Sequence, residues 1–302
     1  MKWCIFLPVL NEGKMIESKI LHSLDIVEEY GGHVVVVEGS VPYATEVNEQ
    51  GLSSDGTSEV LKNYEDKITY LPVGKQANKG DLQNHAIKYI HQNCRDSEIL
   101  HRTDADEFLS MRDIEDIDDH FNETNDWFLY TNLRQLISPT KGVSDSPSPK
   151  GPSFNFNRNT RLRPGDFHER FYRYRPDLAY RVSPHALSDG LGRMLFNHPD
   201  YFFSRSVIPE MYIYHYLYTG GVIDMLKHRM WYAARDNPNI EPLSIAAFDQ
   251  GVKWIKDMVN QETVEIDKLY HCVRVRESKW FKYEDINYDV DKLKYHEVIR
   301  QL

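Results

Sequence analysis

The first hundred residues alternate short β-branched or aromatic runs with stretches of helical period, and no other feature limits the fold as tightly. Strands are predicted at 3–7, 33–38, 67–73 and 98–103, and helices at 13–29, 57–64 and 81–92. In the first helix Ile16, Ile20, Leu24 and Val27 recur every three or four residues, so they share one buried face. A chain with this alternation folds as α/β, with a mainly parallel, doubly wound central sheet. Ligands of such sheets bind beyond the carboxyl ends of the strands, where the loops converge.

The polar clusters of the first third fall on that rim. Pro8, Asn11 and Glu12 follow the first strand, Glu38, Gly39 and Ser40 the second, Gly74 and Lys75 the third, and Asp104 and Asp106 the fourth. The last cluster, Thr103-Asp104-Ala105-Asp106-Glu107, lies between the apolar pairs Ile99-Leu100 and Phe108-Leu109. Carboxylates two residues apart project to one side of an extended chain, where they can share a divalent cation or divide it with a ribose. A nucleoside diphosphate leaving group needs such a cation, because negative charge builds on its bridging oxygen as the bond breaks. The cluster therefore points to transfer from a diphosphate-linked donor; an acidic strand-end turn is the other reading. Asp116-Ile117-Asp118 and Asp289-Val290-Asp291 repeat the spacing in charged surroundings, where a solvated surface is expected.

With 302 residues, 41% hydrophobic and 12% aromatic, the chain can bury the core of one large domain, or of a domain with an appended lobe. It has no repeat of solenoid length and no apolar run near the roughly 20 residues of a membrane span. Cys4, Cys94 and Cys272 form no Cys-x-x-Cys pair, which argues against a disulfide framework or a zinc knuckle and makes a reducing cytoplasm the expected location. The formal charge of -10 argues against indiscriminate polyanion binding. From Lys150 to Arg181, however, eight basic residues face three acids, a local +5 in a chain whose remainder is -15.

Downstream, Trp127–Tyr130 reads as a strand, and 138–165 as a long loop rich in Ser, Pro, Gly and Asn. Strands are expected at 167–175 and 210–217, then helices at 221–235 and 243–260. This divides the chain into a domain over 1–235, with a donor half to about 110 and an acceptor half after it, and a C-terminal helical or irregular extension over 236–302.

Taken in order, Pro8-x-x-Asn11-Glu12, Val34–Val37 ending in Glu38-Gly39-Ser40, Ser53-x-Asp55-Gly56-Thr57, Asp81-x-x-Asn84, Thr103–Phe108, Arg170-Phe171-Tyr172-Arg173 and Ile213-Tyr214-His215-Tyr216 resemble the motifs of GT-A glycosyltransferases, especially the family-2-like group. The resemblance spans about residues 3–235. It implies a Rossmann-like GT-A sheet and a metal-dependent transferase, inverting at the anomeric carbon, using a nucleotide-sugar donor such as a UDP-sugar. Pro8, Asn11, Glu12, Glu38, Asp55, Asn84 and Asp104 would bind the donor. Asp104, Asp106 and His215 would hold Mn²⁺ or Mg²⁺, and an imidazole among the ligands favours Mn²⁺. Glu38 stands where Asp is more usual, and Gln83 where Arg often precedes the Asn.

Each assignment has a structural counterpart: Asp55 as a helix cap, Pro8 and Gly39 as turn residues, Asn84 as a partner for loop backbone, His215 as a hydrogen-bonded strand residue. For the base that takes the acceptor proton, Asp189 leads, followed by His185 and Glu169. Arg158, Arg161, Arg163, Arg170 and Arg173, interleaved with aromatics, could bind a phosphate or an anionic acceptor. The acceptor would be a saccharide or lipid-linked glycan; a hydroxymethylpyrimidine of phage-type DNA is the alternative that the basic segment motivates. Nucleotidyl transfer would call for a Gly-rich phosphate loop after the first strand, which Pro8–Glu12 does not contain. A non-catalytic nucleic-acid or glycan-binding module would not require Asp104, Asp106 and His215 together.

Overall fold

The computed structural model describes residues 1–42, 44, 46–138, 141–143, 167–183, 186–195, 198–201, 205–216, 222–237, 239–259, 263–265 and 292–300. Within them the alternation of the first third is realised element for element. β1 (Trp3–Val9), β2 (Gly32–Glu38), β3 (Thr69–Pro72) and β4 (Ile99–Arg102) are joined through α1 (Ile16–Tyr30), α2 (Thr57–Lys62) and α3 (Lys79–Asn93). The four strands lie in the order β4-β1-β2-β3, all parallel. Pro8 falls inside β1, opposite Val37 of β2, and β4 pairs with β1 only as far as Phe6. A residue without an N–H is tolerated there because the ladder on that side has ended.

Alternation along these strands builds two cores. Trp3, Ile5, Leu7, Val34 and Val36 pack with Ile16 and Ile20 of α1. Cys4, Phe6, Val35 and Val37 pack with Leu82, Ala86, Ile87 and Ile90 of α3. Because both faces of the sheet are covered, neither face of these strands is polar, hence the uninterrupted Val34–Val37 run.

After β4 the sheet becomes mixed. β5 (Glu107–Phe108) leads into α4 (Met111–Glu123), which starts at a capping box between Ser110 and Asp113 and adds Ile114, Ile117 and Phe121 to the first core. The strands that follow up to residue 215 are β6 (Phe128–Ser138), β7 (Lys141–Val143), β8 (Phe167–Arg173), β9 (Ala179–Ser183), β10 (Ala186–Ser188) and β11 (Arg205–His215). β8 inserts antiparallel between β4 and β6, while β11 runs parallel to β6 and antiparallel to β5. β9 and β10 form a separate two-stranded sheet against α3.

α5 (Val222–Asp236) and α6 (Ile245–Val259) pack on one another through Met225, Leu226, Met230, Ala247, Phe248 and Ile255. β12 (Thr263–Glu265) pairs with β7, and Val298 of α7 (Tyr295–Ile299) joins the α5–α6 cluster. The boundary expected near residue 235 thus falls at the end of a helix whose apolar residues are shared with the segment beyond. Among the described residues no helix is long and apolar enough to cross a membrane.

The solvated surface expected at Asp118 is not what the structure contains. Asp118 is buried on α4 and accepts from the Met1 α-amino group (2.9 Å), Trp3 Nε1 (3.0 Å) and Asn122 Nδ2 (2.8 Å). Helical period places it one residue after Ile117 on the inward side, next to the start of β1. Asp289 and Asp291 lie outside the described residues.

Candidate active site

The acidic cluster lies just past the carboxyl end of β4, and β5 carries it toward β11. Register pairs His215 with Glu107 and Tyr214 with Phe108, which brings His215 Nε2 to 3.0 Å from Asp106 Oδ2. Burial opposes the charge on both partners, but their mutual attraction outweighs it: His215 is raised above the usual histidine range and Asp106 is held below the usual carboxylate range.

Asp104 faces a ring of cations. Arg102 Nη2 donates to it at 2.9 Å, Arg170 Nη2 at 3.3 Å, and Lys79 Nζ stands 3.7 Å away. Burial alone would raise its carboxyl; Arg102, Lys79 and Arg170, with His215 beyond them, override that and hold it well down. Arg170 also donates from Nε to Glu107 (2.9 Å), and a second bond from Nη2 makes the pair bidentate. Its placement has a local cause. β8 carries one residue more than β6 between the pairs Leu129–Phe171 and Tyr130–Glu169, so Arg170 occupies a β-bulge, a device that re-aims a side chain.

Across the rim, the loop after β1 is tied to the β2–α2 segment. Asn11 adopts φ 56°, accepts from Ser54 N–H (2.9 Å), donates its amide to the Glu46 carbonyl, and its own N–H bonds Ser53 Oγ (2.9 Å). Asp55 accepts from Gly13 N–H (2.8 Å), Thr57 N–H (3.1 Å) and Thr57 Oγ1 (2.6 Å). A side chain on Gly13 would press a Cβ to 2.7 Å of the Asp55 carbonyl, so glycine is required for this approach. Glu12 binds Thr57 Oγ1 through its N–H (2.8 Å), and burial together with Asp106, Asp104 and Asp55 pushes its carboxyl well up. Glu38, fully buried, accepts from Ser53 N–H (2.9 Å), Ser58 Oγ (2.7 Å) and the Tyr70 hydroxyl. It therefore braces this segment from beneath.

Four further residues proposed for the site are committed to the framework. Asn84 pairs both amide atoms with the backbone of Tyr180 (2.9 and 2.8 Å), which anchors β9 to α3. Arg173 donates to the carbonyls of Phe121 (2.7 Å), Thr124 (2.8 Å) and Asp126 (3.2 Å), closing the C-terminus of α4. Arg170, as described, is held by Glu107 and Asp104. Asp189 accepts four hydrogen bonds, from Leu191 N–H (2.9 Å), Arg193 N–H (2.9 Å), Arg193 Nε (2.6 Å) and the Tyr201 hydroxyl (2.6 Å). These donors overcome its burial and bring its carboxyl down to about 2, so the role of general base assigned to it does not fit. Glu169 is partly buried on β8 beside Arg170, and its charge is felt at Tyr172 and Tyr180. His185, Arg158, Arg161 and Arg163 lie outside the described residues.

Sequence reading missed Lys79 and Arg102. Lys79 opens α3 directly after its N-cap, Asn78, and Arg102 ends β4 two residues before Asp104. A cation at a strand end or a helix start on this rim is the signal that could have found them.

Among the described residues no three acidic, His or Cys side chains converge into a closed metal cage. Asp106 and His215 offer an oxygen and a nitrogen, a donor set suited to Mn²⁺ or Mg²⁺ completed by diphosphate oxygens and water. A divalent cation at Asp106 would relieve the crowding that raises Glu12 beside Asp104 and Asp106.

No family model matches the chain, and no curated protein matches it. Among solved structures it is similar to S. aureus TarS 1-349, at 17% identity and TM-score 0.42, over 83% of this chain and 71% of that one. It is also similar to the same protein in complex with UDP-GlcNAc, at 18% identity and TM-score 0.39 over 71% and 58% of the two chains. Mycobacterium tuberculosis glucosyl-3-phosphoglycerate synthase in complex with Mn²⁺, UDP and phosphoglyceric acid matches at 14% identity and TM-score 0.30, over 45% of this chain and 43% of that one.

Proposed function

We propose that the protein is a cation-dependent, inverting GT-A glycosyltransferase, moving a sugar from a nucleotide-sugar donor, a UDP-sugar, to a hydroxyl of a saccharide or lipid-linked glycan. The observation that carries this reading is the Asp106–His215 pair, 3.0 Å apart, beside an Asp104 ringed by Arg102, Lys79 and Arg170 at the carboxyl end of the parallel strands. A divalent ion held by Asp106 and His215 would supply positive charge to the departing diphosphate. Asp104, fixed by its arginines, orients a ribose hydroxyl as an acceptor of its hydrogen bond. Lys79, about a third exposed (32%) at the start of α3, faces the diphosphate with the positive end of that helix. Asn11, Gly13, Asp55 and Glu38 keep the nucleoside side of the cleft rigid. The acceptor proton then falls to Glu169 or His185.

The internal pairing of Arg170, Arg173 and Arg175, the last with Asp177 at 2.8 Å, withdraws three cations from the segment that motivated a DNA acceptor, and favours the glycan. The test is donor consumption, followed by mass spectrometry with pooled nucleotide sugars and added Mn²⁺, Mg²⁺ or chelator. Turnover should require the ion and fall about 100-fold in Asp106→Asn, since an amide is a poorer ligand than a carboxylate. Turnover indifferent to chelation and to this substitution would overturn the proposal.

A further inference from the structure

Lys19 is a buried charge with no part in the scheme above. It lies on α1, is 1% exposed, and its ammonium donates to the carbonyl of Glu107, 88 residues away in sequence. The same ammonium stands 5.1 Å from the centre of the Phe108 ring. Burial of a cation is unfavourable unless its donors are met, so its position needs a reason.

The reason lies in the edge of β5. Among the described residues this two-residue strand pairs with β11 alone. Carbonyls alternate in direction along a strand, and that of Asp106 accepts from Tyr216 N–H at 2.9 Å on the β11 side. The next carbonyl, that of Glu107, therefore turns away from β11 toward α1, where no described strand pairs with it. Left without a donor, a buried carbonyl is destabilising. Lys19 reaches it from α1, so β5 is gripped between β11, which carries His215, and α1.

We propose that Lys19 is a positioning residue for the Asp106–His215 pair: by pinning β5 from α1 it sets how closely the two side chains approach, and so the affinity of the site for a divalent cation. This rests on the cation-binding reading of that pair. A shift of β5 toward or away from β11 changes the Asp106–His215 separation directly, because His215 lies opposite Glu107 in that antiparallel pairing and Asp106 immediately precedes Glu107.

The experiment is a calorimetric titration of Mn²⁺ into the UDP-saturated protein, for the parent, Lys19→Met, Lys19→Gln and Asp106→Asn. Methionine keeps the length and apolar stem of Lys19 and removes the donor. The Mn²⁺ dissociation constant should rise about tenfold in Lys19→Met, with UDP affinity in the absence of metal unchanged. Lys19→Gln, which retains a shorter neutral donor, should fall between this variant and the parent. A Lys19→Met protein that melts earlier yet binds Mn²⁺ within about twofold of the parent overturns the proposal, because a purely structural lysine would behave that way. Asp106→Asn separates the two readings: if it binds Mn²⁺ like the parent, the cation site itself is misassigned. Should Lys19→Met fail to fold, Phe108→Leu removes the ring beside the ammonium and keeps the core apolar. A rise of about two- to fourfold in the constant then supports the proposal, and no change overturns it.

Discussion

Replacing Asp189 by Asn separates a general base from a structural anchor. The carboxylate is 1% exposed and accepts four hydrogen bonds, two from the backbone of its own turn and two from Arg193 Nε and the Tyr201 hydroxyl. Its carboxyl lies at about 2, against 3.8 for the free side chain. That difference corresponds to a stabilisation on the order of 2 kcal/mol at neutral pH. The folded value is the depressed one, so this contribution is fully present above about pH 4 and is lost as pH falls toward 2. Asparagine keeps an oxygen but sets an amide NH₂ against the Arg193 and Tyr201 donors, so Asp189→Asn should destabilise by about 2–3 kcal/mol. Urea unfolding at pH 7 reads this directly, and in a chain of this size the melting temperature should fall by several degrees. The gap between variant and parent should narrow as pH drops below 4, because the parent then loses the same interactions. Parent-like stability combined with a large loss of sugar transfer would refute this reasoning and restore Asp189 as the base.

Two further substitutions test the framework. Asp118→Asn leaves the Met1 ammonium and Trp3 Nε1 facing a neutral side chain in a buried setting, and should cost about 2 kcal/mol in a urea titration without altering Mn²⁺ binding. Arg173→Ala uncaps three carbonyls around the end of α4; it should lower stability by about 1–2 kcal/mol while leaving donor turnover per folded molecule unchanged, which circular dichroism and a turnover assay check together.

The strand–helix alternation and the rim positions of Asn11, Glu12, Asp104 and Asp106 were legible because they depend on local periodicity: an apolar run and the polar residues that end it are neighbours along the chain. His215 was legible only through its motif, since 107 and 215 meet through the antiparallel pairing of β5 with β11. Spacing could not separate Asp104–Asp106 from Asp116–Asp118, because whether a carboxylate is solvated depends on what the fold lays across it. In the structure Met1 and Trp3 lie across Asp118, and Arg102 and Arg170 across Asp104. The same holds for Arg170, Arg173, Asn84 and Asp189, whose residue types suit ligand or proton chemistry. Their partners are the carboxylate of Glu107, the end of α4, the backbone of β9 and a buried turn. Sequence determined the α/β class, the order of the elements and the rim on which the polar residues gather, because hydrophobic period and strand-end chemistry are properties of adjacent residues. Tertiary structure alone decided which polar side chains are bound up in the framework and which meet at a common point, because hydrogen-bond saturation and burial depend on residues brought together from distant parts of the chain.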